Sequence, residues 1–172
     1  MRASIAFLAA LAFGLPLSGC GLQPMYAGGS DAAVAQGLAG VAVPAIPGRG
    51  GWLVKNALED RLGVAGEASN RYRLDVRLDD SLEALGVLND DTISRERRIL
   101  RARYQLVDIS TGEILLDATA GSDAGIDVVS SEYATIAAEQ KALENLAEEV
   151  ADRMATSIAL ALRERARGAP AP

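Results

Sequence analysis

The chain has no histidine and one cysteine, Cys20. Those two shortages close most catalytic repertoires. Histidine- or thiolate-based metal sites lack ligands, a Ser-His-Asp triad lacks its base, and a cysteine nucleophile would have to be Cys20 itself. Carboxylate chemistry stays open in principle, yet Asp and Glu are scattered along the chain without a spacing that marks a working pair. A long hydrophobic run is also missing. The apolar stretch from Ile5 to Leu15 falls well short of the ~20 residues a membrane-crossing helix needs, and Gly14 and Pro16 break it. Positive charge is in deficit, with a formal net charge of −6, which argues against a general nucleic-acid binder. The expectation is a protein that is not an enzyme and holds no cofactor and no metal.

The N-terminus carries Arg2, then the apolar stretch, then Leu17-Ser18-Gly19-Cys20. This is the pattern of a secretory signal ending in a bacterial lipobox, in which the cysteine thiol takes up diacylglycerol and cleavage makes the cysteine the new N-terminus. An ordinary cleaved signal would leave the position of the sole cysteine unexplained. Cys20 is therefore the expected lipidation site. One acyl chain holds a protein to a membrane only marginally, at ~0.8 kcal/mol per CH₂, whereas several anchor it for good. Gly21 follows the cysteine where enteric inner-membrane retention uses Asp, which points to the outer membrane. About 150 residues remain after cleavage, enough for one domain with a sizeable core.

Residues 1–19 are thus expected to be a signal peptide, 20–37 a lipidated N-terminus and flexible tether, 38–166 a single α/β domain, and 167–172 a disordered tail. The stretch from Ala27 to Gly37 is small and without period, which suits a tether. Leu38 to Ile46 reads as an edge or terminal strand because of Pro44 and Pro47. Gly48 to Gly51 reads as a turn, and Trp52 to Leu62 as a helix ended by Gly63. Trp52, at the head of an apolar stripe, is expected in the core. Tyr72, Leu74, Val76 and Leu78 alternate with Arg71, Arg73, Asp75, Arg77 and Asp79, the clearest strand signal in the chain. Residues 80–91 read as irregular and polar, with a turn at NDDT. A second alternating run follows, with Arg95, Arg97, Ile99, Arg101, Arg103 and Gln105 on one face and Arg98, Leu100, Ala102, Tyr104 and Leu106 on the other. Asp108 to Gly112 reads as a hairpin into a strand from Glu113 to Ala120. Glu132 to about Arg165 has no Pro or Gly and an amphipathic period, so it reads as one helix of roughly 50 Å, longer than the sheet beneath it. The whole predicts an α+β fold: a two-layer α/β sandwich with a mostly antiparallel four-stranded sheet and two helices on one face, the other face open.

That open face gathers the candidate binding residues. Arg71, Arg73, Arg77, Arg95, Arg97, Arg101 and Arg103 share the polar sides of two neighbouring strands, and a guanidinium fork grips phosphate or carboxylate bidentately. The alternative is a solvated face whose cations are balanced by Asp75, Asp79 and Glu96. Anionic ligands are plentiful at a membrane surface, which favours a binding role.

Gly19 to Tyr26, GCGLQPMY, resembles the start of the lipopolysaccharide-assembly lipoproteins of the LptE family. The resemblance extends over LVKNALEDRL from Leu53 to Leu62, YRLDVRL from Tyr72 to Leu78, the arginine-bearing strand leading to YQLVD from Tyr104 to Asp108, and the long last helix. It implies an outer-membrane lipoprotein on the periplasmic side that plugs a large β-barrel partner, an LptD-like lipopolysaccharide-assembly protein, assists its assembly and helps pass lipopolysaccharide to the outer leaflet. No catalysis is involved. The seven arginines come from strand alternation and are not carried over from the family. A rival assignment is an auxiliary lipoprotein of a lipid-transport ATPase system, which would bind partner proteins at the outer membrane without entering a barrel.

Overall fold

The structure is a computed structural model and describes residues 30–63, 70–87 and 93–168. Helix α1 spans Ser30–Ala39, strand β1 Val41–Ala42 and helix α2 Gly48–Leu62. Strands β2 (Tyr72–Val87), β3 (Ile93–Asp108) and β4 (Ile114–Asp127) follow, and helix α3 (Glu132–Gly168) ends the domain. The sheet runs β1-β2-β3-β4. β1 pairs parallel to β2, and the other neighbours are antiparallel. This is the expected α+β class, a mostly antiparallel four-stranded sheet with one face left open.

The core follows the two periods legible in the sequence. Tyr72 and Leu74 of β2 and Leu100, Ala102, Tyr104 and Leu106 of β3 are buried on the inner face, as strand alternation requires. Leu143, Leu146, Val150, Met154, Ile158 and Leu162 form the facing stripe of α3, and Val54, Leu58 and Leu62 that of α2. These residues make one contiguous cluster. Tyr72 and Tyr104 lie in it as expected.

Several expectations are corrected. The stretch read as a tether contains most of α1, a third helix that packs mainly on α3. Its Ala-rich sequence has high helix propensity, and Val34 is buried. A Cβ at Gly37 would stand 3.3 Å from a methyl of Leu162, so α1 is packed closely on α3. The first strand shrinks to Val41–Ala42, because Leu38 is helical and Pro44 cannot extend a ladder.

Helix α2 begins at Gly48, where a turn was expected, with Pro47 at its N-cap. Trp52 is 62% exposed rather than buried. The earlier start sets the inward stripe on Gly50, Gly51, Val54, Ala57 and Leu58 and leaves Trp52 pointing to solvent. At Gly51 a Cβ would lie 2.4 Å from the Ile46 carbonyl oxygen, so glycine alone permits that approach.

β2 does not stop at Asp79. It runs on to Val87 in register with β3, and the irregular stretch is strand to that point; the NDDT turn lies outside the described residues. β4 likewise continues past Ala120 to Asp127. At ~3.3 Å per residue β2 and β3 are about 50 Å long, which matches α3 at ~1.5 Å per residue and removes the expected overhang. Asp80 falls on the inner face of this extension, and Arg98 meets it there at 2.7 Å while also donating to the Glu139 carbonyl of α3.

Candidate docking face

The outer face of the sheet is built by three strands in strict register. β2 contributes Arg73, Asp75, Arg77, Asp79, Ser81 and Glu83, and β3 contributes Arg95, Arg97, Ile99, Arg101, Arg103 and Gln105. β4 adds Asp117, Thr119, Asp123 and Asp127. No helix among the described residues covers this side, because the apolar stripes of all three strands turn the other way. Six of the seven arginines read from the sequence therefore share one surface. Arg71 stands apart just before β2, its guanidinium 5.4 Å from the ring centroid of Tyr72.

The face is not a cationic sheet. Its arginines are matched by a row of acids on β4, of which Asp123 and Asp127 lie beyond the shorter predicted strand. Arg95 reaches Asp127 at 3.1 Å, Arg97 reaches Asp123 at 3.5 Å, and Arg103 reaches Asp117 at 3.1 Å. Within β2, Arg73 grips Asp75 through two hydrogen bonds of 2.9 Å. The hydrogen bond to Asp117 holds the Arg103 guanidinium above its ordinary pKa, and the bonds from Arg103 and Gln105 hold the Asp117 carboxyl below its own. Both groups stay ionised at neutral pH. The outcome is an alternating lattice of guanidinium and carboxylate groups with little net charge. Glu96, expected among the balancing acids, lies on the inner face opposite Ala84 and Ile126, where one carboxylate oxygen is buried without a hydrogen-bond partner.

Two cations of the lattice have no ion pair among the described residues. Arg101 sits opposite Asp79 and Gly121, and Arg77 sits directly opposite Arg103. Arg77 and Arg103 line a groove of about 510 Å³ whose far wall is the Pro44-Ala45-Ile46 segment. Such a pair offers converging donors to one anionic group. A second, more apolar groove of about 440 Å³ lies between the helices, with Val34, Leu38, Ala155 and Leu160 in its lining. Cys20 and the GCGLQPMY segment lie outside the described residues. Asp117, Asp123 and Asp127 were missed by sequence reasoning, although their shared parity along β4 was the signal that could have found them.

Residues 38–158 match the family model described as LptE, lipopolysaccharide-assembly. The chain belongs to the LptE family. The match covers most of the folded domain and agrees with the resemblance carried by the order of its elements. A structure described as that of a lipoprotein from Caulobacter crescentus CB15 is similar at 27% identity and a TM-score of 0.66, covering 78% of this chain and 98% of the other. Rare lipoprotein B from Shewanella oneidensis aligns at 13% identity and a TM-score of 0.54, over 70% of this chain and 92% of the other. A minor lipoprotein from Acinetobacter baumannii aligns at 16% identity and 0.56, over 70% and 88%. The last two likenesses show the shared fold alone. A search of curated protein sequences finds no match. LptE membership supports a role in lipopolysaccharide assembly.

Proposed function

We propose that this protein is a lipid-anchored, outer-membrane subunit of a lipopolysaccharide translocon, which plugs an LptD-like β-barrel, assists its assembly and helps deliver lipopolysaccharide to the outer leaflet. The observation that carries the reading is the family match over residues 38–158. No helix among the described residues is long and apolar enough to cross a membrane, and in this reading attachment falls to acyl chains on Cys20 at the periplasmic side. Nothing in the role requires catalysis.

The geometry of the open face supports the plug. The interior of a large outer-membrane barrel is polar, and a lattice that alternates donors and acceptors can pair with basic and acidic groups alike. A uniformly cationic face would be repelled by every arginine or lysine on the wall. Arg77 and Arg101, which have no ion pair among the described residues, are the groups best placed to take a phosphate of lipid A.

Extraction in mild detergent from cells making the full chain, followed by affinity purification, tests this. A large β-barrel protein should co-purify, and Cys20→Ser should lower the yield of that complex by releasing the anchor. Recovery of lipid-transport ATPase components in place of a barrel would refute the plug.

A further inference from the structure

The apolar groove between the helices lies beside the part of the chain that leads from Cys20 to the domain. Val34, Ala35 and Leu38 of α1 form one wall, and Ala155, Ala159 and Leu160 of α3 the other. Leu160 is 54% exposed there. Its rim is polar: Asp60, Thr156 and the ion pair of Arg61 with Asp152 stand around the opening. Its volume, about 440 Å³, falls in the range of roughly 300–1,000 Å³ that buries a small ligand. A few side chains fill it.

We propose that the groove is occupied by the chain's own residues 22–26, folded back across α1. These residues, Leu-Gln-Pro-Met-Tyr, are the apolar part of the stretch between Cys20 and α1, and Ala27, Gly28 and Gly29 separate them from Ser30. Two glycines admit a sharp reversal of the chain there. At ~3.3 Å per residue the chain from Tyr26 to Ser30 reaches at most ~13 Å, and Val34 lies only ~6 Å along α1 from its start, at ~1.5 Å per residue. Reversal therefore lays Met25 and Tyr26 over Val34 with chain to spare. Pro24 keeps the segment extended, which lowers the entropy lost on docking. Leu22 and Met25 supply apolar surface to meet Leu160, and the Tyr26 hydroxyl finds an acceptor in Asp60 at the rim while its ring is covered.

Other occupants fit less well. An acyl chain on Cys20 buries more of itself in a bilayer than in an open groove with a charged rim, so it stays in the membrane. A separate polypeptide competes against a segment joined to α1 by a few residues, whose effective concentration is on the order of millimolar. The clasp stands on the groove and the sequence and does not require the barrel. Its consequence rests on the anchored reading: with residues 22–26 held, Gly21 alone separates Cys20 from the domain, so the helix layer sits at the bilayer and the open sheet face turns away from it.

The full chain in lipid nanodiscs tests this by hydrogen exchange across residues 21–29. Their amides should exchange at least ~tenfold more slowly than in a free peptide of the same sequence. Leu160→Asp should return them to the peptide rate, because it sets a charge in the apolar wall. At an exposed site this substitution does not threaten α3, and unchanged exchange from Val150 to Ile158 confirms it. Thiol pairing reads the same contact: with Cys20 acylated, Met25→Cys and Thr156→Cys hold the free thiols, and mild oxidation should join them far faster than Met25→Cys with Thr119→Cys on the outer sheet face. Peptide-rate exchange in the unsubstituted chain, which lipid in the groove would also give, overturns the proposal. So does protection that survives Leu160→Asp, or equal rates for the two thiol pairs. The mass of the N-terminal peptide reports acylation separately, so an unmodified Cys20 defeats the anchor while exchange in solution still reads the clasp.

Discussion

Arg165, in the closing turns of α3, places its guanidinium 3.3 Å from the carboxylate of Asp108 at the end of β3. Asp108 is the one buried charged residue among the described residues, and it organises the β3–β4 hairpin. Its carboxylate accepts the Ser110 hydroxyl at 2.5 Å and the Ser110 N–H at 3.0 Å, and its carbonyl accepts the Gly112 N–H at 2.8 Å. Arg165 also reaches Glu113 at 3.1 Å. The last helix is thus tied to the hairpin by one side chain. Arg165→Met should lower the melting temperature by several degrees, because a buried carboxylate loses its counter-charge, and thermal unfolding at neutral pH measures it.

The same carboxylate sets an acid response. Hydrogen bonding from Ser110 and the charge of Arg165 hold the Asp108 carboxyl below its ordinary pKa. A depressed folded-state pKa gives stability that is fully present above the unfolded value of about 3.9 and is lost as pH falls through the folded value. Melting temperature should therefore hold steady between neutral pH and about 5 and fall below about 4. Asp108→Asn should be less stable at neutral pH and show a shallower acid decline; an unaltered decline would assign it to other carboxylates.

Two glycines separate space from sequence. A Cβ at Gly51 collides with the Ile46 backbone, whereas one at Gly125 meets nothing within 4 Å. Gly51→Ala should cost roughly 1–3 kcal/mol, because backbone must move to admit it. Gly125→Ala, in an exposed strand position, should be neutral or slightly stabilising through the unfolded chain. Urea unfolding of both variants decides it.

Exposure predicts a second contrast. Met154 is fully buried, while Trp52 is 62% exposed. Met154→Ala should cost about 2–5 kcal/mol, and Trp52→Ala less than about 0.5 kcal/mol. A large loss at Trp52 in chemical denaturation would contradict its solvent-facing position at the head of α2.

The fold was legible where one face of an element is uniformly apolar. Tyr72-Leu74-Val76-Leu78 and the stripe from Leu143 to Leu162 each announce their partner surface locally. What was hidden depends on contacts from elsewhere in the chain. Asp80 breaks the alternation of β2, and only Arg98 from the adjacent strand makes its inner position tolerable. Gly121 and Gly125 conceal the second half of β4, since a residue without a side chain carries no periodic signal. That concealment mattered most for the candidate site. The arginines could be placed by parity within β2 and β3, but the acids that neutralise them lie on β4, so the face read as cationic from sequence is close to balanced in the fold. Trp52 failed for a different reason: its side depended on whether α2 starts at Gly48 or after Gly51.

Balance on the open face makes the arginines unequal, and that inequality is measurable. Arg95 spends its charge on Asp127 and Arg97 on Asp123, whereas Arg101 has no ion pair among the described residues. If the face takes lipid phosphates, Arg101→Gln should weaken lipopolysaccharide binding several-fold, while Arg95→Gln should change it little, because exposed ion pairs contribute about 0–1 kcal/mol and release an acid when broken. Replacing Asp123 and Asp127 by Asn should act oppositely, freeing Arg97 and Arg95 and tightening binding at low salt, with the gain fading as ionic strength rises. Titration of the purified chain with lipopolysaccharide in detergent at two salt concentrations reads all three variants. Equal losses at Arg95 and Arg101 would mean that the lattice rearranges on binding and that its resting ion pairs do not rank its cations.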